Sequence, residues 1–211
     1  MSQSQSTFAE PSTPMSVHKS EPQAIGGSPH KNYPCQPRFL PDQLECLAWL
    51  AGKWNVFEPG KCHYPTIKDF AYAEKIEFVF GGQPMLDYKA ESWDPSSQPH
   101  KLLHREQGFL RIKPGTNQIA FVLAHNFGVS ETLEGTCMKN QLVVETTGIS
   151  RMSFAAEPAV VRTRRTYKYD PEKEELEHIM EMETKKTPLT EHLRIKYKRA
   201  THTSSDDALK H

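Results

Sequence analysis

The sequence lacks an excess of either charge and any long apolar run. Lysine and arginine together number 26, as do aspartate and glutamate, so the formal net charge is +0. Surfaces that bind nucleic acid need clustered basic residues, and because no basic stripe is evident we expect no nucleic-acid partner. The mean hydropathy of -0.66 and the absence of an apolar segment long enough for a bilayer predict no membrane partner. The N-terminus has no apolar signal-peptide core, so we expect a cytoplasmic or nuclear location.

Close-spaced cysteine pairs and the common hydrolase motifs are also missing. Cys35, Cys46, Cys62 and Cys137 are widely spaced, and in a reducing compartment we expect them to be free thiols. A zinc site of Cys46, Cys62 and His63 can be drawn, but without a close-spaced ligand pair small buried thiols explain these residues better. No Gly-x-Ser-x-Gly elbow, phosphate loop or His-Glu-x-x-His motif is found, which excludes the enzyme classes that these motifs define.

Composition divides the chain into one domain and two tails. Residues 1–38 are rich in Ser, Pro, Gln and Gly and hold almost no large apolar residues, so they are predicted to form a disordered tail. Residues 201–211 are predicted to form a short second tail. The intervening residues 39–200 are enough for one globular domain of ordinary size.

The pattern of apolar residues in this domain predicts an all-β fold. A short N-terminal helix is expected near one end, with Asp42 as its N-cap and Gly52 as its C-terminal stop. Apolar residues then alternate with polar ones, as in "FAYAEKIEFVF", where Phe70, Tyr72 and Ile76 share one face. Eight similar runs follow, separated by turn residues. Strands in this order predict an up-and-down antiparallel β-barrel of about ten strands, large enough to enclose one ligand.

Methionine and histidine are the candidate ligand-binding residues on this barrel. Met180 and Met182 share the inward parity of their strand, where they either fill the core or line a pocket for a flat apolar ligand. His104, His125 and His192 lie near strand ends, so they are positioned to meet at one opening. Histidine is the commonest metal-binding side chain but is more often solvated or hydrogen-bonded, and the residues alone leave both roles open.

Longer strings resemble a known family. The strings "LAWLAGKW", "HYPTI", "GQPMLDY", "HREQGFLRIKPGTNQIAFVLAHNFGVSE", "ISRMSFAAEP" and "PLTEHLRIKYK" resemble nitrobindins, and most closely the C-terminal domain of an animal THAP-type zinc-finger protein. The resemblance runs in order through nearly all of residues 40–200. It implies a ten-stranded barrel that holds one ferric b-type haem per chain, binds nitric oxide and isomerises peroxynitrite to nitrate. The sequence does not determine the oligomeric state, and a homodimer is the candidate assembly.

The resemblance also assigns site residues. His192 matches the axial ligand of the haem iron, and the iron itself would be the catalytic centre. Five further positions match haem-pocket residues of the family: Trp54, Thr66, His104, His125 and Met182. The chain departs from the family in its first loop, where "NVFEP" and "KCH" replace a glycine-rich pattern. It also lacks the cysteines of a THAP zinc finger, so a DNA-linked role does not transfer.

Two questions remain open at this stage. Strict alternation places His192 on the face opposite Leu193 and Ile195, so an inward His192 requires a β-bulge or a rim position after Pro188. A barrel of this kind also suits a non-enzymatic carrier of fatty acid or another apolar ligand, because fold alone does not determine function. A nitric oxide sensor that uses the same haem is the other alternative.

Overall fold

In the computed structural model, which describes residues 40–64 and 67–200, a short 3-10 helix (Asp42–Leu47) is followed by eleven β-strands. The strands are β1 (Gly52–Val56), β2 (Gly60–Tyr64), β3 (Ile67–Phe80), β4 (Met85–Asp94), β5 (Lys101–Ile112), β6 (Gln118–His125), β7 (Val129–Met138), β8 (Gln141–Arg151), β9 (Val160–Asp170), β10 (Glu175–Thr184) and β11 (Thr187–Arg199). In this described part of the chain, no helix is long and apolar enough to cross a membrane.

The sheet closes on itself, which confirms the predicted barrel. From β2 to β11, each strand pairs antiparallel with the next. Both β1 and β2 lie between β3 and β11, since each pairs with both. β1 and β2 together therefore fill the place of a single strand between β3 and β11. The barrel wall has ten strand positions in all. Pro59 lies in the break between β1 and β2, where the absence of a backbone N–H donor suits an interruption of the ladder.

The two ends of the barrel differ. At the end where β3 and β11 finish, the helix inserts Leu44 and Leu47, which are fully buried. Trp54 donates from Nε1 to the backbone oxygen of Leu50 at 2.8 Å, and the Arg199 guanidinium lies 4.1 Å from the Trp54 ring centroid. We call this the closed end. The opposite end, where β4, β6, β8 and β10 finish, is the open end.

Alternating side chains fill the middle of the barrel. The rings of Phe78 and Tyr167 meet edge to face at 5.6 Å, and Tyr88 meets Phe121 in the same way at 4.8 Å. Burial of each large side chain contributes about 1.5–3 kcal/mol, so this aromatic layer is a main source of stability. The layer separates the closed end from the open end, and so forms the floor beneath any site at the open end.

Two local predictions were wrong. The helix has Pro41 at its N-cap position with no side-chain cap, so Asp42 does not cap it, and Gly52 begins β1 instead of ending the helix. A helix of six residues is too short for a run of α-helical hydrogen bonds, and its tight turns pack directly on the core. The predicted tails lie outside the described residues.

The expectation of free thiols is wrong for two cysteines. Cys46 and Cys137 form a disulfide that ties the helix region to β7 across 91 residues of sequence. Cys62 is free and buried, and its burial raises the pKa of the thiol to about 11. The zinc site drawn from Cys46, Cys62 and His63 is therefore not formed, because Cys46 is already bonded to sulfur. Cys35 lies outside the described residues.

Candidate functional site

Inward-facing side chains lose their burial abruptly near the open end. On β3, Tyr72 is 3% exposed, whereas Phe70, the next inward position towards this end, is 43% exposed. Both side chains belong to the inward face of β3, because they alternate with outward residues and Phe70 pairs with the buried Cys62. The interior is therefore hollow above the level of Tyr72. Two exposed apolar residues at this end lie at or beside bulges, Val161 on β9 at 42% and Leu102 on β5 at 43%.

The same change appears on the strands that carry the predicted ligand. Leu176 on β10 and Ile195 on β11 are buried, whereas Met180, Met182 and Leu193 are only partly buried. Met182 is therefore a partly buried residue near the open end, where it pairs with Thr190. Apolar side chains that stay partly exposed on a concave surface are typical of a pocket for an apolar ligand.

His192 is the extra residue of a β-bulge. Met180 pairs with Leu193 and Glu181 pairs with Glu191, so His192 has no position of its own opposite β10. This confirms the bulge that an inward-directed His192 required. A bulge re-aims one side chain without disturbing the alternation beyond it, which leaves Ile195 in the core. His192, the ligand predicted from the sequence, is therefore not held on the outward face of the sheet, where strict alternation would place it.

The surroundings of His192 favour a neutral imidazole. Burial lowers the pKa of its side chain, and a hydrogen bond with the backbone of His63 acts in the opposite direction without reversing the change. Neutral imidazole nitrogen is the form of histidine that coordinates metal ions. His192 consequently has the protonation state that an axial ligand needs.

His104 and His125 lie across the barrel from His192. In the ten-position wall, β6 is five positions from β11 in either direction, so His125 at the end of β6 is on the opposite wall. His104 on the neighbouring β5 is partly buried and lies parallel to it, with ring centroids 5.3 Å apart and an interplanar angle of 12°. The structure therefore brings these two predicted residues together, with His192 on the other side of the hollow.

Both ring nitrogens of His125 face carboxylates. Nδ1 lies 3.1 Å from Glu106 Oε2, and Nε2 lies 3.2 Å from Glu131 Oε1. The His125 side chain is 4% exposed. Burial opposes charging of this ring, but the two carboxylates outweigh it and raise the pKa of His125 above its ordinary value.

Arg165 holds the two carboxylates together from beneath. Its guanidinium donates to Glu106 Oε1 at 2.6 Å and Oε2 at 2.8 Å, and to Glu131 Oε1 at 3.1 Å. Tyr88 donates to Glu106 at 2.6 Å and Thr163 donates to Glu131 at 2.7 Å. Burial favours protonation of Glu131, yet the His125 hydrogen bond and the Arg165 charge lower its pKa to about 2.

His104 completes the group. Its Nε2 lies 3.1 Å from His125 Nδ1. Burial lowers the pKa of His104 to about 4, so this ring is neutral at pH 7. Phe127 covers both rings, with centroid distances of 5.1 Å to each. We call His104, Glu106, His125, Glu131 and Arg165 the distal cluster.

Three members of the distal cluster, Glu106, Glu131 and Arg165, were not predicted, because charged residues are rarely buried and their charges match those of surface residues. Alternation along each strand was the signal that could have found them. Glu106 lies on the same face of β5 as the core residue Leu110, and Arg165 lies on the same face of β9 as Tyr167.

The remaining predicted residues lie elsewhere. Trp54 is buried at the closed end beside Leu50 and Arg199, so the structure does not bring it together with the histidines. Its role there is to anchor the helix to the barrel. Thr66 lies outside the described residues.

Part of the distal cluster has the donor types of a metal site. His104, Glu106 and His125 bring one donor atom each within 4.8 Å of one another. However, Arg165 already binds both oxygens of Glu106, and a divalent ion beside the guanidinium would meet a like charge. We therefore assign this group as an ion network.

The fold and the site define a ligand-binding β-barrel whose open end carries a neutral histidine opposite a charged polar cluster. Residues 43–199 match the family model described as "THAP4-like, heme-binding beta-barrel domain". The chain belongs to this haem-binding family. It is 41% identical over 166 residues to rat "Peroxynitrite isomerase THAP4", covering 79% of this chain but only 29% of the rat protein's length.

Mycobacterial relatives match over nearly their whole length. The chain is 33% identical over 162 residues to "Peroxynitrite isomerase 1" of Mycobacterium tuberculosis, which covers 74% of this chain and 94% of that protein. The crystal structure of Rv2717c from M. tuberculosis matches with a TM-score of 0.67 and 30% identity, covering 77% of this chain and 99% of that chain. The barrel by itself is therefore a complete unit in these relatives.

The residues at the open end fit a haem. His192 provides a neutral nitrogen donor on one wall, and partly exposed apolar side chains provide a border for a flat macrocycle. Haem iron in proteins is commonly held by one histidine, while the polarity of the opposite wall governs which small ligands bind. His192 would hold the iron here, and the distal cluster lies on the wall opposite.

Proposed function

We propose that the chain holds one ferric b-type haem in its open-end pocket through His192 and isomerises peroxynitrite to nitrate. The observation that carries the proposal is the β-bulge on β11. This bulge removes His192 from the outward face of the strand at the level where the barrel becomes hollow. Membership of the haem-binding family and the names of the rat and mycobacterial relatives support it. Nitric oxide is proposed as a second ligand of the same site.

Each wall of the pocket would have its own part in this function. When bound, the ferric haem would supply a Lewis-acid site at which the oxygen–oxygen bond of peroxynitrite can rearrange. His192, being neutral, would hold the iron without adding charge. Met180, Met182 and Leu193 on the same side would exclude water from the bound group and so limit escape of reactive species into solvent. The distal cluster would meet the small ligand.

A hemin titration of the purified protein tests the proposal. We expect a saturable Soret absorbance at one haem per chain for the wild type, and loss of this band in His192→Ala. His100→Ala is the matched control, because His100 is an exposed histidine in the β4–β5 connection, and it should bind as the wild type does. Equal hemin binding by all three proteins would reject His192 as the ligand.

One observation favours a second function. The exposed Phe70 and the partly buried Met180 and Met182 are inward apolar residues at the open end that would also accept a fatty acid or another apolar molecule. A carrier of this kind would be purified without colour and would keep its ligand in His192→Ala, which native mass spectrometry detects. A nitric oxide sensor would share the haem and His192 but show no turnover of peroxynitrite.

The homodimer and the cytoplasmic or nuclear location stay predictions. Size-exclusion chromatography with light scattering would measure the first, and fractionation of cells that express the chain would measure the second. The Cys46–Cys137 disulfide makes the redox state of that compartment worth measuring in the same experiment.

A further inference from the structure

The buried charges of the distal cluster do not balance without an additional proton. Glu106 and Glu131 contribute two negative charges, Arg165 contributes one positive charge, and all three side chains are at most 4% exposed. A buried charge without a partner is strongly disfavoured. The groups that face His125 are Glu106 and His104 from β5, Glu131 from β7 and, through both carboxylates, Arg165 from β9. His125 is the group best placed to supply the missing positive charge.

The contacts of His125 require protons on both of its nitrogens. A lone pair on Nδ1 would face a carboxylate oxygen of Glu106 at 3.1 Å, and a lone pair on Nε2 would face Glu131 at 3.2 Å. Both arrangements are repulsive, whereas an N–H group on Nε2 donates a charge-assisted hydrogen bond to Glu131 and an N–H group on Nδ1 forms an ion pair with Glu106. Geometry and charge balance thus agree on an imidazolium.

This charge state determines the tautomer of His104. Two N–H groups cannot face each other across the 3.1 Å between His125 Nδ1 and His104 Nε2, so His104 Nε2 carries a lone pair. The proton of His104 then lies on Nδ1, which has no hydrogen-bond partner among residues 40–64 and 67–200. His104 is partly buried and lies one inward position nearer the open end than the buried Glu106.

We infer that His125 is an imidazolium that locks His104 as an Nδ1–H donor and makes the open-end pocket selective for anionic ligands over neutral ones. The charge and tautomer follow from the apoprotein contacts, whereas the anion selectivity rests on the proposed haem function. In this arrangement His104 is the group available to touch the ligand. Glu106, Glu131 and Arg165 are positioning residues that act through His125. The opposite pKa changes of the two rings, raised for His125 and lowered for His104, agree with one charged and one neutral partner.

Nuclear magnetic resonance of the protein without added haem tests the first part. Long-range nitrogen–proton spectra distinguish protonated from unprotonated ring nitrogens. At pH 7 we expect both nitrogens of His125 to be protonated, and His104 to be protonated at Nδ1 only. A neutral His125 at pH 7, or a His104 proton on Nε2, would overturn the inference. Saturable zinc binding that shifts both rings would also overturn it, since a metal would then replace the proton.

Paired variants separate the charge effect from a change in folding. Glu131→Gln keeps the size of the side chain but removes one charge, and should lower the titration midpoint of His125 by at least one pH unit, about a tenfold change in the protonation constant. Glu134→Gln, an exposed residue of the same strand, should leave it unchanged. If Glu131→Gln does not fold, the wild-type spectra alone still decide the inference.

Ligand binding to the haem-loaded protein tests the second part. We expect His125→Gln to weaken the binding of azide by about tenfold while changing that of nitric oxide by less than about threefold, because only azide is charged. Equal effects on both ligands would reject anion selectivity. Failure of the wild type to bind hemin would reject the proposed function instead, and the charge state measured without haem would be unaffected by that result.

Discussion

Glu106 and Arg165 form a bidentate ion pair at the base of the open-end pocket, with nitrogen–oxygen distances of 2.6 and 2.8 Å. The two residues are separated by 59 positions in sequence and lie on β5 and β9. The pair links strands that share no hydrogen bonds in the sheet, so it connects opposite parts of the wall. It also supports His125, because the same guanidinium binds Glu131.

Removing the guanidinium should strongly destabilise the fold. Arg165→Met leaves Glu106 and Glu131 buried without their main cation, and we expect a loss of about 3–5 kcal/mol in the free energy of unfolding. Arg164→Met is the matched control, since Arg164 pairs with Glu145 and Glu181 on the outer surface and should cost about 0–1 kcal/mol. Urea unfolding measures both. Similar losses for the two variants would contradict the assigned burial of the distal cluster.

The contribution of His125 to stability should decrease as the pH rises. Its pKa in the folded chain is raised above the ordinary value of about 6.5. A raised pKa adds stability that is complete below the unfolded value and is lost as the pH passes the folded value. The difference in unfolding free energy between wild type and His125→Gln should therefore shrink from pH 6 towards pH 9. Denaturant unfolding at several pH values checks this, and a difference that grows with pH would have the wrong sign.

The disulfide should make stability depend on reducing agent. The bond between Cys46 and Cys137 closes a loop of 91 residues, for which chain entropy predicts a stabilisation of about 4–5 kcal/mol. We expect dithiothreitol to lower the unfolding midpoint of the wild type to that of Cys137→Ser, and to leave the variant unchanged. Cys62→Ser, which removes the free buried thiol, should keep the response to dithiothreitol. A wild type that does not respond to reduction would contradict the pairing.

One glycine tests the close approach of neighbouring strands. A Cβ at Gly108 would lie 1.8 Å from the backbone oxygen of Val122, so β5 and β6 must move apart to accept Gly108→Ala. Such overpacking costs about 1–3 kcal/mol. Gly148→Ala serves as the control because a Cβ at Gly148 meets no atom within 4 Å. Thermal unfolding should show a lower midpoint for the first variant only, and equal midpoints would argue against this strand register.

Much of the fold was predictable because alternation is a local property. In "FAYAEKIEFVF" the parity of Phe70, Tyr72 and Ile76 correctly assigned the interior, and the turn residues correctly separated the strands. The break at Pro59 was not predicted, because the pairing of β1 and β2 with the same two strands depends on barrel closure. The helix was predicted in the right place but with the wrong cap, since core packing and not a capping side chain holds it.

The site was only partly predictable for a different physical reason. His104 and His125 were expected at one opening because both lie near strand ends, and the structure brings them together. The burial of Glu106, Glu131 and Arg165 depends on contacts between residues far apart in sequence, and the charges of isolated residues give no sign of such pairing. The alternation pattern alone placed His192 outward, and the bulge that frees it from this face appears only in the pairing with β10.

The central claim is that the His192 imidazole binds the haem iron, and rescue of a ligand deletion tests it most directly. His192→Gly removes the imidazole and leaves space for a free imidazole molecule in its place. We predict that the variant lacks the wild-type ferric Soret spectrum after addition of hemin and regains it when imidazole is added. A variant that shows the wild-type spectrum without imidazole, or a wild type that forms no specific spectrum, would contradict the account.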